Sequence, residues 1–377
     1  MHSGKLSMNS VLKLPFYVRS TMFLLGALAS LTILSVAQGI IVPLVFALLI
    51  SVVLHPVVIF ITRRGINRII AISVTLILSA IAITTLAVLL YTQASKFSES
   101  WPALVDKFSL LVNQLINSVS HSLNIDPKNI HNWISKTKTE VINNSSSTLS
   151  TTLSTLGSLL ATFLLIPFYT FMILFYQSHL VSFTHQVFGA GNNNSVSEIL
   201  TQSKSLIQSY LVGLSAEFVI VSVMNSAGLL ILGIDYAILL GVIGALLNII
   251  PYIGGLIAVA LPMMVALATE TSAWYAFYVL AVYYFIQLID NNYIVPVIVA
   301  SKVKINGLFS VIVVIAGNAL WGISGMFLSI PLLAIMKLIF DHIEPLKPWG
   351  FLLGNIVPTV KAKFGMNKLK GKKIIQW

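Results

Sequence analysis

The 377-residue chain has no cysteine and little charge: 9% of its residues are Asp, Glu, Lys or Arg, against 57% hydrophobic. Without cysteine there are no disulfides, no thiolate metal sites and no thiol catalysis. So little charge excludes a soluble globule, since soluble domains carry about 25% charged residues. Charge is scarcest in the long apolar runs, over 69–91, 155–176, 211–232, 273–289 and 308–340. A bilayer core about 30 Å thick needs roughly 20 apolar residues in a helix. In lipid the backbone must satisfy its own hydrogen bonds, which leaves helices or closed barrels. Barrel strands alternate in polarity and are about half as long as these runs. The chain therefore reads as an all-α polytopic integral membrane protein.

Further absences narrow the function. There is no Gly-x-x-x-x-Gly-Lys-Ser/Thr loop to hold a nucleotide and no His-Glu-x-x-His metal motif. Neither a nucleotide-driven pump nor a metalloenzyme is expected, and no cofactor. The stretch "GISG", 322–325, has the pattern of an intramembrane serine protease, but His342 is the only later histidine. It follows Ser324 by about 27 Å if the intervening residues are helical. That separation permits no serine–histidine hydrogen bond. The chain reads as a non-enzyme.

What charge there is lies beside the apolar runs. Lys5, Lys13 and Arg19 precede the first, Arg63, Arg64 and Arg68 follow the second, and Lys302 and Lys304 lie between later ones. Lys361, Lys363, Lys368, Lys370, Lys372 and Lys373 form a basic tail. Juxtamembrane Lys and Arg stay in the cytoplasm and set orientation, so both termini are expected inside. The net charge of +11 then points to anionic lipid and not to nucleic acid. Ser35 to Gln38 faintly resembles a signal-peptide cleavage site, but a second apolar run follows at once.

Along the chain, spans are expected over about 20–37, 40–61 and 68–92. Residues 93–150 change character, with Phe97, Trp101, Leu104, Phe108, Leu111 and Leu115 recurring at three and four residues. That is one face of an amphipathic helix, read as a small extracytoplasmic segment, with a turn and second short helix at "NIDPKNIHNW". Spans four and five follow over about 155–177 and 211–233, with a short surface helix from Glu198 to Tyr210 feeding the fifth. A hairpin over 236–269, a span over 273–299 and two short or kinked segments complete the membrane region. The total is about eight spans if the hairpin is re-entrant and ten if it crosses. Four regions result: a three-helix membrane region (1–92), the amphipathic segment (93–150), a C-terminal transport region (151–345) and the basic tail (346–377).

One absence bears directly on chemistry. From Ser205 to Ser301 there is no Lys, Arg or His, yet four carboxylates lie there: Glu217, Asp235, Glu270 and Asp290. A carboxylate at the bilayer centre costs about 2.5–3.5 kcal/mol on insertion scales. A partner, water, a cation or a proton must offset it. Asp235 in "LGIDYA" and Glu270 in "ATETSAW" read as solvated turn or helix-end acids. Glu217 lies inside span five and Asp290 follows a long apolar run, so these two are the candidate site carboxylates.

Broken helix is the second cue. Unwound backbone at mid-membrane is tolerated where it lines a cavity, and there its carbonyls can meet ions. "NIIPYIGG" is such a stretch, with Asn248, Pro251, Gly254 and Gly255. "DNNYIVP" is another, where Pro296 frees the carbonyl four residues back, on Asn292. Asn291, Asn292 and Asn318 supply further amide oxygens.

The block "LNIIPYIGGLIAVALP", with "IDNNYIVPVIVASKVKINGLFSVIVVIAGNALWGISGMFLSIPLLAIMK", resembles the autoinducer-2 exporter family of bacterial inner-membrane permeases. The order of features is also similar across nearly the whole chain. The resemblance implies transport by gradient in the bacterial inner membrane, with a small molecule or monovalent cation as substrate. Its motif positions here are Pro251, Gly254, Asp290, Asn291, Pro296, Gly322, Gly325 and Pro331. Many relatives have a lysine, two residues, then His-Pro after the proline motif. This chain reads "VKINGLF", and Gly307 is expected to keep the turn.

The expected function is secondary transport, by alternating access or gated passage, with Asp290 binding or exchanging a cation or proton and Glu217 beside it. One rival is passive or proton-coupled export of a small polar metabolite such as autoinducer-2. Another is an oligomeric scaffold that binds through 93–150. A homo-oligomer fits each reading, because the small residues offer close-packing faces.

Overall fold

The computed structural model describes residues 15–123, 164–188, 193–249, 254–270, 272–300 and 305–354. These are helical, and the only β pairing among them is an isolated antiparallel bridge between Ile305 and Gly354. The helices are α1 (Phe16–Val36), α2 (Gln38–Thr62), α3 (Arg68–Leu123), α4 (Leu164–Phe175), α5 (Gln177–Phe188), α6 (Asn193–Ile231), α7 (Ala237–Asn248), α8 (Gly254–Thr269), α9 (Trp274–Ile289), α10 (Gly307–His342) and α11 (Lys347–Leu353). A π-helical segment, Asp290–Ala300, continues α9.

Large apolar side chains stand exposed along the outer helices, among them Ile77, Ile81 and Leu89 on α3 and Phe277 and Phe285 on α9. Such a surface suits lipid and not water. Helix α6 is the central element and packs against α2, α5, α7, α9, α10 and the π segment.

Five helices are long and apolar enough to cross a membrane among the described residues, with the bent pair α4–α5 as a sixth. The sequence-based total of about eight, which takes the 236–269 hairpin as re-entrant, is not confirmed by this count. The two last expected segments are one bent helix, α10, and α9, with 16 residues, reaches crossing length only with its π continuation. Helices α7 and α8 have 12 and 16 residues, about 18 and 24 Å at 1.5 Å per residue, each shorter than the ~30 Å core. Gly254 is set so closely against the Leu247 carbonyl that a Cβ would overlap it. Pro251 lies outside the described residues.

Helix α10 is long enough for one crossing but does not run straight. Trp321 (φ −134°, ψ 18°) and Gly322 (φ 60°, ψ −142°) leave helical geometry, and the chain folds back there. Gly322 takes the left-handed backbone that glycine adopts most readily. The two legs press together where Gly317 meets Gly325, and Ser329 Oγ donates to the Val313 carbonyl at 2.9 Å. The Trp321 indole N–H donates to the Leu34 carbonyl of α1 at 3.0 Å, which fixes the tip. Pro331 is buried in the returning leg. Asn306 is the N-cap of α10, its side chain accepting from Leu308 N–H at 3.0 Å; residues 301–304, which precede the turn expected at Gly307, lie outside the described residues.

Two expected breaks are absent. The 93–123 stretch continues the third span as one 56-residue helix, about 84 Å long at 1.5 Å per residue. Its apolar face packs on the α7–α8 hairpin: Leu104 is buried with Ile234, Ala258 and Val265, and Phe97 packs against that cluster. Ser100 Oγ and Tyr236 Oη lie 2.7 Å apart. The second short helix expected from "NIDPKNIHNW" lies outside the described residues. Likewise the Glu198–Tyr210 helix and span five are one helix, α6.

Candidate functional site

Three helical strips converge on a cavity of about 710 Å³. Helix α6 contributes Tyr210, Leu214 and Glu217, at the three- and four-residue spacing of one helix face. Helix α9 and the π segment contribute Leu280, Tyr283, Tyr284, Gln287, Asp290 and Asn291 at the same period. The α7–α8 hairpin closes the third side with Asn248, Ile249, Gly255 and Val259.

Asp290 is the most deeply placed acid, 1% exposed. It is the first residue of the π segment, where the α-helical period breaks. Asn248 Nδ2 donates to Asp290 Oδ2 at 2.7 Å. Asp290 Oδ1 is buried without a hydrogen-bond partner, a state that costs about 1–3 kcal/mol for a polar group and more for a charged one. Glu217, also buried, faces the same cavity, near enough for the Asp290 charge to act on it. Among the described residues no Lys, Arg or His lines the cavity. Two carboxylates without a fixed cation make a site whose field favours a cation or a proton. Among the described residues no three His, Cys, Asp or Glu gather as a metal-binding group.

The "DNNYIVP" stretch is wound, not unwound. In π geometry a carbonyl pairs with the N–H five residues on. The N–H that Pro296 lacks is therefore missing opposite Asn291, not Asn292. Asn292 turns its amide to the Leu288 carbonyl at 2.8 Å and does not line the cavity, whereas Asn291 does. Gly255 lines it because its missing side chain leaves room: a Cβ there would stand 3.1 Å from Gln287 Oε1.

The remaining expected positions lie elsewhere. Asn318, Gly322, Gly325 and Pro331 belong to the α10 hairpin and do not line this cavity. Asp235 is exposed in the turn between α6 and α7, and Glu270 follows the end of α8; neither lines the cavity. Residues that sequence reasoning missed extend the polar surface. Tyr283 Oη and Asn225 Oδ1 are buried without partners. Both side chains converge over Gly244, where a Cβ would lie 3.2 Å from each. Asn225 had a legible signal: it lies two helical turns beyond Glu217 in an apolar run.

The chain is similar over most of its length to proteins named for transport, most of them by proposal. It is 25% identical over 343 residues to YhhT of Escherichia coli (strain K12), covering 89% of this chain and 95% of that protein, whose name proposes a transport role. YrrI of Bacillus subtilis (strain 168), with a similarly proposed role, is 24% identical over 81% of this chain and 87% of its own length. The AI-2 transport protein TqsA of Escherichia coli (strain K12) is 25% identical over 81% of this chain and 87% of its own. The family model described as AI-2E family transporter matches residues 21–344, so this integral membrane protein belongs to the AI-2E transporter family.

Proposed function

We propose that this chain is a secondary transporter in which the Asp290–Glu217 cavity is the translocation site, and in which Asp290 binds or exchanges a monovalent cation or proton. The reading rests on one observation: Asp290 Oδ1 is buried and unpartnered in a cavity lined, among the described residues, by a second carboxylate and by no basic side chain. Asn248 holds one carboxylate oxygen and leaves the other for the cargo or coupling ion. Gln287, Asn291 and Tyr283 supply neutral oxygens around it. Gly254 and Gly255, at the start of α8, would serve in gating, with the membrane taken as the bacterial inner membrane and both termini inside.

Ion-coupled proton flux in proteoliposomes tests this. With a pH dye and an acid interior, sodium or lithium added outside should cause saturable alkalinisation that Asp290→Asn abolishes. Coupled flux that survives Asp290→Asn would end the reading.

A second reading has its own support. At about 710 Å³ the cavity is far larger than a dehydrated ion and carries the rings of Tyr210, Tyr283 and Tyr284. A small polar metabolite fits these dimensions, and the name of TqsA refers to AI-2. Wild-type protein that ignores both ions but releases a loaded polar solute would favour it.

A further inference from the structure

A second cavity lies at the elbow where α4 meets α5 at 69°. It is about 600 Å³ and is lined by Thr62, Arg63 and Arg68 beside Gln177, Ser178 and Ser182, with Val58, Ile59, Leu174 and Val181 as apolar wall. Through His55, Leu174, Gln177 and Val181 it adjoins a further cavity of about 540 Å³, which Lys204 lines. Among the described residues no Asp or Glu lines either one. None of their residues lines the Asp290 cavity.

Arg68 and Lys204 are each held by a residue of another helix. Arg68 Nη2 donates to the Leu174 carbonyl at 2.6 Å, the end of α4 left open by the bend. A guanidinium carries five N–H donors, and one carbonyl does not saturate it. Lys204 Nζ lies 3.0 Å from His55 Nδ1. A lysine ammonium only donates, so Nδ1 is the acceptor and the imidazole carries its hydrogen on Nε2. Gln177, at the start of α5, lines both cavities with His55. Residues from α2, α5 and α6 thus meet around His55. Among the described residues no carboxylate forms a salt bridge with Arg63, Arg68 or Lys204. Arg64, next in sequence, stacks over Phe60 at 4.2 Å and does not line the cavity.

We propose that this elbow cavity binds a phosphate-bearing anion. Two guanidiniums line a half-apolar cavity with no carboxylate among its described residues, and the Lys204 ammonium stands in the cavity that adjoins it. Arg engages phosphate through paired N–H donors, and the N-terminal end of α5, with the Ser178 hydroxyl, faces the same space. The apolar wall accommodates an acyl chain beside the headgroup. The phosphate has two available sources, an anionic phospholipid or soluble phosphate.

The experiment uses the full-length protein purified in neutral detergent. Dioleoyl phosphatidylglycerol, dioleoyl phosphatidylcholine and inorganic phosphate are titrated separately, with binding read by native mass spectrometry and by the unfolding midpoint. Preferential retention of phosphatidylglycerol over phosphatidylcholine, weakened about five-fold in both Arg63→Ala and Lys204→Gln but not in Arg64→Ala, identifies a lipid headgroup. A stabilising effect of inorganic phosphate with the same pattern among variants identifies a soluble source. Arg64→Ala removes the same charge from the same loop and controls for general attraction to the basic surface. Equal binding by all three variants, or no preference for phosphatidylglycerol together with no phosphate effect, overturns the proposal.

Discussion

Asn248, the last residue of α7, donates to Asp290, the first residue of the π segment, at 2.7 Å across 42 positions of sequence. This bond ties the α7–α8 hairpin to the π-helical end of α9. Asn248→Ala removes the donor and leaves both Asp290 oxygens unpartnered. A hydrogen bond to a charged group contributes about 1.5–3 kcal/mol, so transport is expected to fall by roughly ten-fold or more. Flux and the unfolding midpoint, measured together, separate lost transport from lost folding. Unchanged flux would mean that the bond is not part of the path.

Adjacent glycines at the hairpin should behave differently. At Gly254 a Cβ meets the Leu247 backbone, which has nowhere to go. Gly254→Ala is expected to cost about 1–3 kcal/mol, visible as a lower unfolding midpoint. At Gly255 the obstacle is the Gln287 side chain, 3.1 Å away, which can rotate. Gly255→Ala should leave the midpoint nearly unchanged while narrowing the cavity and slowing flux.

The reversal in α10 makes a topological prediction. Asn306 N–H donates to the Leu353 carbonyl at 2.9 Å, so the chain enters and leaves this hairpin at one end. Because the chain lacks cysteine, single cysteines need no background removal. Asn306→Cys and Glu344→Cys should react with an impermeant thiol reagent from the same side of the membrane. Labelling from opposite sides would require α10 to run straight.

Tyr236→Phe removes the hydroxyl that meets Ser100 at 2.7 Å. A loss of about 0.5–1.5 kcal/mol should follow, with faster amide exchange in the 97–110 stretch. Leu104→Asp, which places a charge in the buried cluster of α3, α7 and α8, should release that stretch altogether. If transport persists after its release, the α3 extension is not needed for the path. If transport is intact but an assembly is lost, the scaffold reading gains.

Composition and periodicity determined what this protein is made of. Scarce charge and long apolar runs can be satisfied only by helices in lipid, and the carboxylates left without Lys, Arg or His between Ser205 and Ser301 marked Asp290 and Glu217 before any contact was known. Local chemistry also marked the break at Gly322, since only glycine takes that backbone at little cost. Periodicity does not separate one helix from two where polarity changes without a breaker, so it divides each of the single helices α3 and α6 into two elements. Nor does it separate one crossing from a hairpin, because hydropathy carries no direction.

Tertiary structure decided which polar groups meet. Asn248, Asn291, Asn292 and Asn318 are the same residue type in similar apolar surroundings. Helix phase and packing send the first two to the Asp290 cavity, turn Asn292 back to its own helix and place Asn318 on an exposed face. The same holds for Tyr283 and Asn225, joined over Gly244 by the close approach of α6, α7 and α9. Pairwise proximity across tens of residues depends on how helices cross, and that is set by the shapes of whole faces and not by the identity of any one residue.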